Sequence, residues 1–114
     1  MGGSFETSPD HPKLNLQPLR VPTLAPDIYQ EAKDMVADLS HWKLVSADDE
    51  SMTLTCERDG GLLSSASTIT IRVEGPEGMP SATVNLHSVS EGGLRSRDRA
   101  NVAEFLEPFR RRVC

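Results

Sequence analysis

Three kinds of residue in this chain could carry chemistry: a nucleophile beside a base, a set of metal ligands, and a glycine–arginine segment able to hold an anion. Cys56 and His87 are the one thiol and imidazole pair within strand-like stretches. Alternation places Cys56 in phase with Met52 and Leu54, and His87 in phase with Thr83 and Asn85. The two therefore face opposite ways and do not form a nucleophile–base pair. Ser88, Ser90 and Ser96 follow, but no G-x-S-x-G turn presents any of them as a nucleophile, so no catalytic residue is assigned. His11, His41 and His87 lack paired ligand spacing. Asp48, Asp49 and Glu50 could hold a hard cation, but three consecutive acids between two strands read as a solvated turn. Neither a metal nor a cofactor is expected.

Gly60-Gly61 and Glu91-Gly92-Gly93 match neither the P-loop nor the dinucleotide fingerprint. The second stretch does lie between a strand and a helix start, where backbone amides can take an anion. Gly92 and Gly93 would allow close approach, and Arg95, Arg97 and Arg99 would add charge-assisted hydrogen bonds. These five residues are the candidate ligand site, for a carboxylate or phosphate. Asp98 in the same turn competes for the same donors.

The elements that must position these residues follow from pattern. The chain has 114 residues, enough for one domain and one core without a disulfide or metal staple. Apolar residues are 37% of it and aromatics 4%, so the core rests mainly on Leu, Ile, Val, Met and Ala. A net charge of −5 gives no global basic field for nucleic acid. Residues 27–59 are acid-rich, and arginines gather from Arg95 to the end. Cys56 and Cys114 lack C-x-x-C spacing and make no disulfide scaffold, which fits a reducing, cytoplasmic setting. There is no apolar leader at the N-terminus and no membrane-length apolar run. A bacterial source is at least as consistent with the Met-Gly start as a myristoylation signal.

Residues 1–18 are polar, with Pro9, Pro12 and Pro18, and are expected to be a disordered tail before a single domain over 19–114. Leu19–Leu24 could add an edge segment, with Pro22 tolerable only there. Ile28, Ala32, Met35, Val36 and Leu39 predict a helix over about 26–39. Four strands follow over about 42–47, 51–58, 68–73 and 82–89, with period-two alternation that buries one face. Their short connections require antiparallel neighbours. Val102, Phe105, Leu106, Phe109 and Val113 form the stripe of a last helix over about 97–112, with Pro108 expected to kink or end it near Glu107. The expected fold is α+β: a two-layer sandwich, α-β-β-β-β-α, with a four-stranded meander covered on one face by both helices. Val36, Leu54, Ile69, Ile71, Val84, Leu86, Phe105 and Phe109 form its predicted core.

Three features resemble a known family. One is a helix ending before the Trp-containing strand Leu39-Ser40-His41-Trp42-Lys43-Leu44-Val45-Ser46-Ala47-Asp48. Another is Arg58, closing the next strand. The third is Ser88-Val89-Ser90 followed by Gly93, Asp98 and Asn101 into the final helix. From Tyr29 to Arg112 the chain resembles the small bacterial and plant family catalogued as domain of unknown function 1499. It departs from that family at Glu91, where the family has Arg, and at Gly61-Leu62-Leu63, where aromatics are usual. The resemblance implies the fold; it implies no reaction, cofactor or catalytic residue.

With surfaces present and catalytic signatures absent, the leading expectation is a non-enzymatic binding or protein-interaction module. Its partner would be an unidentified protein or a small anionic ligand, with no nucleic acid and no membrane, and the chain a monomer or weak homodimer. The alternative is a small-molecule or lipid-like ligand binder, or a weak hydrolase, with a pocket between sheet and helices. Buried ionisable residues at one mouth of the sandwich would favour the alternative, and a solid apolar core the first.

Overall fold

A computed structural model describes residues 3–59, 66–90 and 98–113. Strands β1 (Gly3–Glu6) and β2 (Leu19–Val21) precede helix α1 (Ala25–Asp38). Strands β3 (Trp42–Asp48), β4 (Thr53–Arg58), β5 (Ser67–Glu74) and β6 (Ala82–Ser90) follow, and then helix α2 (Asp98–Val113). The sheet runs β1-β6-β5-β4-β3, with β2 also on β6, and every pairing is antiparallel.

The alternation read from sequence sets the faces. Leu54, Cys56, Ile69, Ile71, Val73, Val84 and Leu86 are buried, while Glu57, Thr68 and Arg72 between them are exposed. On α1 the buried residues are Ala25, Ile28, Tyr29, Ala32, Met35 and Val36, and on α2 they include Val102, Phe105, Leu106 and Phe109. Both helices therefore cover the one apolar face of the sheet. All eight predicted core residues lie in this layer, each at most 1% exposed. Among the described residues no helix is long and apolar enough to cross a membrane.

The sheet has six strands rather than four. The meander occupies β3 to β6, and the extra two strands come from the N-terminal segment. Gly3–Glu6 pairs with His87–Ser90, the Thr7 amide donates to the Leu86 carbonyl (2.9 Å), and Leu19–Val21 pairs with Ala82–Val84. They act as one edge strand interrupted by residues 8–18, within which Leu14–Leu16 form a 3₁₀ turn and Leu16 is buried. An edge strand needs backbone pairing on one side only, so GSFE joins the sheet with a single large apolar residue, Phe5. Pro22 follows directly after β2, where no ladder bond is lost.

α2 does not end at Glu107. It continues through Pro108 to Val113. Proline removes one amide donor, but buried Phe105 and Leu106 before it and Phe109 after it hold both halves against the sheet. Arg112 fastens the far end, donating to Glu31 (2.9 Å) and Asp38 (3.2 Å) of α1.

Candidate functional site

The strand register brings Trp42, Arg58, Ser67 and Ser90 into one row across the sheet, Trp42 opposite Arg58, Arg58 opposite Ser67, and Ser67 opposite Ser90. This row is the end of the sandwich at which α2 begins. Along β6 the buried phase Ala82, Val84, Leu86 runs on into Ser88 and Ser90, so the inner face changes from apolar to polar there. Asp98, in the first turn of α2 and 2% exposed, accepts from the Ser88 hydroxyl (2.7 Å) and the Ser90 hydroxyl (2.8 Å). Ser67 and Ser90 share a hydrogen bond at 3.0 Å, and Asn101 Nδ2 donates to Ser88 Oγ at 3.2 Å. Asn101 Oδ1 is buried and has no hydrogen-bond partner among the described residues.

A second network stands beside it. Glu104, one turn further along α2, accepts from Trp42 Nε1 (2.5 Å), Arg58 Nε (2.6 Å) and Arg58 Nη2 (3.1 Å). Arg58 also donates to the Asp59 carbonyl. The hydrogen bonds to the Glu104 carboxylate raise the Arg58 pKa further above its ordinary value, so the guanidinium stays charged at every accessible pH. Trp42, Arg58, Ser88, Ser90, Asp98 and Asn101 are thus all at one end of the inner face, although they are scattered along the sequence from β3 to α2. Their chemistry is hydrogen bonding. No histidine is among them, and the group that accepts from both serine hydroxyls is the Asp98 carboxylate.

The other sequence candidates sit elsewhere. Gly92, Gly93, Arg95 and Arg97 lie outside the described residues. Arg99 is exposed, with its guanidinium 5.5 Å from the Phe5 ring centroid. His11 stacks edge-on to Phe5, His41 leaves α1 in a left-handed turn (φ 70°) near Asp59, and His87 lies on the outer sheet face opposite Thr70. Among the described residues no group of three or more His, Cys, Asp or Glu could hold a metal. The acidic turn is engaged locally. Asp48 accepts from the Glu50 and Ser51 amides, and Asp49 accepts from the Tyr29 hydroxyl (2.6 Å) and Lys33 (3.0 Å).

Cys56 is fully buried, and burial pushes its thiol up to about 12 from an ordinary value of 9.0. It is a neutral thiol at physiological pH and a poor nucleophile. Burial, with the hydrogen bond to Asp49, raises Tyr29 to about 12 as well. Both groups hold their protons more tightly when folded. They favour the fold fully below their unfolded values, and that contribution is lost as pH climbs toward 12. The Cys56 share alone should lower stability by about 2 kcal/mol between roughly pH 8 and 10.5. Urea midpoints measured across that range should fall, and the fall should shrink in Cys56→Ala. A flat midpoint would contradict the burial.

No family model matches the chain, and no curated protein matches it. Among solved structures it is similar to a point mutant of Thalictrum flavum norcoclaurine synthase in complex with a transition-state analogue. That pair shares 12% identity at a TM-score of 0.58, over 98% of this chain and 96% of that one. The crystal structure of Ara h 8.0201 aligns at 8% identity and a TM-score of 0.53, over 96% and 97%. The chain shares the fold of these two structures. In this chain the space between sheet and helices is occupied by Leu54, Ile69, Ile71, Leu86, Phe105 and Phe109, and the polar residues gather at one end.

Sequence pattern singles out these polar residues only through a family resemblance and does not join them into a site. A signal is nevertheless present. Extending the inward phase of β6 by two steps reaches Ser88 and Ser90, extending that of β5 back by one reaches Ser67, and stepping back along the α2 stripe from Phe105 and Val102 reaches Asn101 and Asp98.

Proposed function

We propose that this chain is a binding domain for a small organic ligand, seated at the Ser88–Asp98–Asn101 end of the sandwich. The observation that carries this reading is the Asn101 carbonyl oxygen, fully buried without a partner among the described residues. A buried acceptor left unpaired costs roughly 1–3 kcal/mol, and a ligand bearing an N–H or O–H donor would recover it. Buried Asp98 at the same end is the ionisable group that favours a ligand binder, whereas the filled apolar middle is what a plain interaction module would show and confines any ligand to this end. The norcoclaurine synthase structure of the same fold holds a transition-state analogue, which supports a small molecule as the occupant. Because the middle of the sandwich is filled, the ligand is small and enters from the end. Binding rather than catalysis is favoured because the hydroxyls there face a carboxylate with no imidazole in the cluster.

The test is a thermal-shift screen of small amines, amides and alcohols, with phosphate and acetate in parallel. Donor-bearing compounds should raise the melting temperature of the wild type and not that of Asn101→Leu, which fills the same space without an acceptor. Stabilisation equal in both proteins, or by the anions alone, would overturn the donor-ligand reading. Anion-only stabilisation would instead favour the Gly92–Arg99 segment.

A further inference from the structure

β3 is the free edge of the sheet: among the described residues it pairs with β4 alone. An edge strand offers a row of unpaired backbone donors and acceptors. Every residue of β3 after Trp42 is exposed, and Leu44 and Val45, at 37% and 50%, are among the exposed large apolar side chains of the protein. The charges at its two ends are opposite, Lys43 and Asp48.

A bulge gives this edge a particular symmetry. Lys43 pairs with Glu57 and Leu44 with Cys56, but Ser46 pairs with Thr55, so Val45 is the extra residue. Lys43 and Asp48 are separated by an odd number of positions and would face opposite ways in a regular strand. With the bulge, Lys43 opposes Glu57 and Asp48 opposes Thr53, both on the outer face. Leu44 opposes Cys56 and Ala47 opposes Leu54, both on the inner face. When β3 lies antiparallel against a second β3 with Lys43 opposite Asp48, the other pairs are Leu44 with Ala47 and Val45 with Ser46. Directly opposed residues in antiparallel strands share a face. The two-fold places Lys43 beside Asp48 twice on the outer face, and Leu44 beside Ala47 twice on the inner face.

We propose that this edge is a homodimer contact, in which two copies join through β3 into one continuous antiparallel sheet. The occupant is a second copy of this chain because the charges of Lys43 and Asp48 and the faces of the Lys43–Asp48 and Leu44–Ala47 pairs are self-complementary in a single register. One strand pair buries far less than a permanent interface needs, so the dimer is weak and reversible. β3 starts at the ligand-binding end with Trp42, but the contact runs from Lys43 to Asp48 and does not depend on a ligand.

Sedimentation equilibrium of the full chain over a wide concentration range reads the association directly. Wild type should show a monomer–dimer equilibrium. Lys43→Glu, which sets one carboxylate against the Asp48 carboxylate at both symmetry-related positions, should weaken it about tenfold or more. Asp48→Lys should do the same. An equimolar mixture of the two variants should dimerise again, because each chain then meets an opposite charge at both positions. Asp48 also caps the β3–β4 turn, so melting curves must show each variant folded, and the Lys43→Glu result stands by itself if Asp48→Lys is not. A wild type that stays monomeric at millimolar concentration, or variants that dimerise like wild type, would overturn the proposal. The bulge and Lys43 would then be guards of a closed edge.

Discussion

Asp98→Ala is expected to destabilise the protein by about 2–4 kcal/mol in urea melts. The carboxylate is 2% exposed and accepts from two hydroxyls at 2.7 and 2.8 Å. Its removal leaves the Ser88 and Ser90 donors in a buried space. The Ser90 hydroxyl can turn toward Ser67, 3.0 Å away; Ser88 is left with the Asn101 side chain beside it. The loss should therefore be shared unequally. Ser88→Ala on top of Asp98→Ala should cost little more than Asp98→Ala alone, whereas Ser88→Ala in wild type should cost about 1–2 kcal/mol. Additive losses would show that the two side chains do not act as one network. A loss under about 0.5 kcal/mol for Asp98→Ala would show that α2 is not held to β6 in this way.

Phe105→Ala is expected to cost about 3–5 kcal/mol. The ring is wholly buried, packs against Phe109 with centroids 4.9 Å apart, and lies 5.9 Å from the Trp42 ring. It lies on α2 between the polar end and the apolar middle, so its loss opens a cavity under Trp42 as well as under the helix. Trp42 is the single tryptophan, and its fluorescence should report the change in the folded state as well as the earlier unfolding. A loss below about 1 kcal/mol would mean that the helix collapses onto the gap or that the ring is not in the core.

The four strands of the meander, both helices and the eight core residues are legible in the sequence because each rests on a periodicity that burial on one face imposes. β1 is not. It is an edge strand made by backbone pairing, and Gly3, Ser4 and Glu6 carry no apolar signal. Pro108 suggests a helix end near Glu107 that the chain does not make, for the opposite reason. Its one missing hydrogen bond weighs less than the buried residues on both sides of it. The polar end is half legible. Trp42, Arg58, Ser88, Ser90, Asp98 and Asn101 stand out as a resemblance, but their convergence depends on strand register. Register follows from turns and pairings that no single segment encodes. On β6, His87 is the residue whose type suggests chemistry, yet it lies on the outer face, and the serine after it continues the inner one.

The central claim is that the end of the sandwich around Asn101 binds a small donor-bearing molecule. It is tested most directly by nitrogen–proton correlation spectra recorded during titration with a compound that raises the melting temperature. Saturable shifts centred on Ser88, Ser90, Asp98 and Asn101 are the predicted result, with the Asn101 side-chain amide among them. Shifts centred on the outer sheet face at Thr70, Asn85 and His87, with Asn101 unmoved, would contradict it.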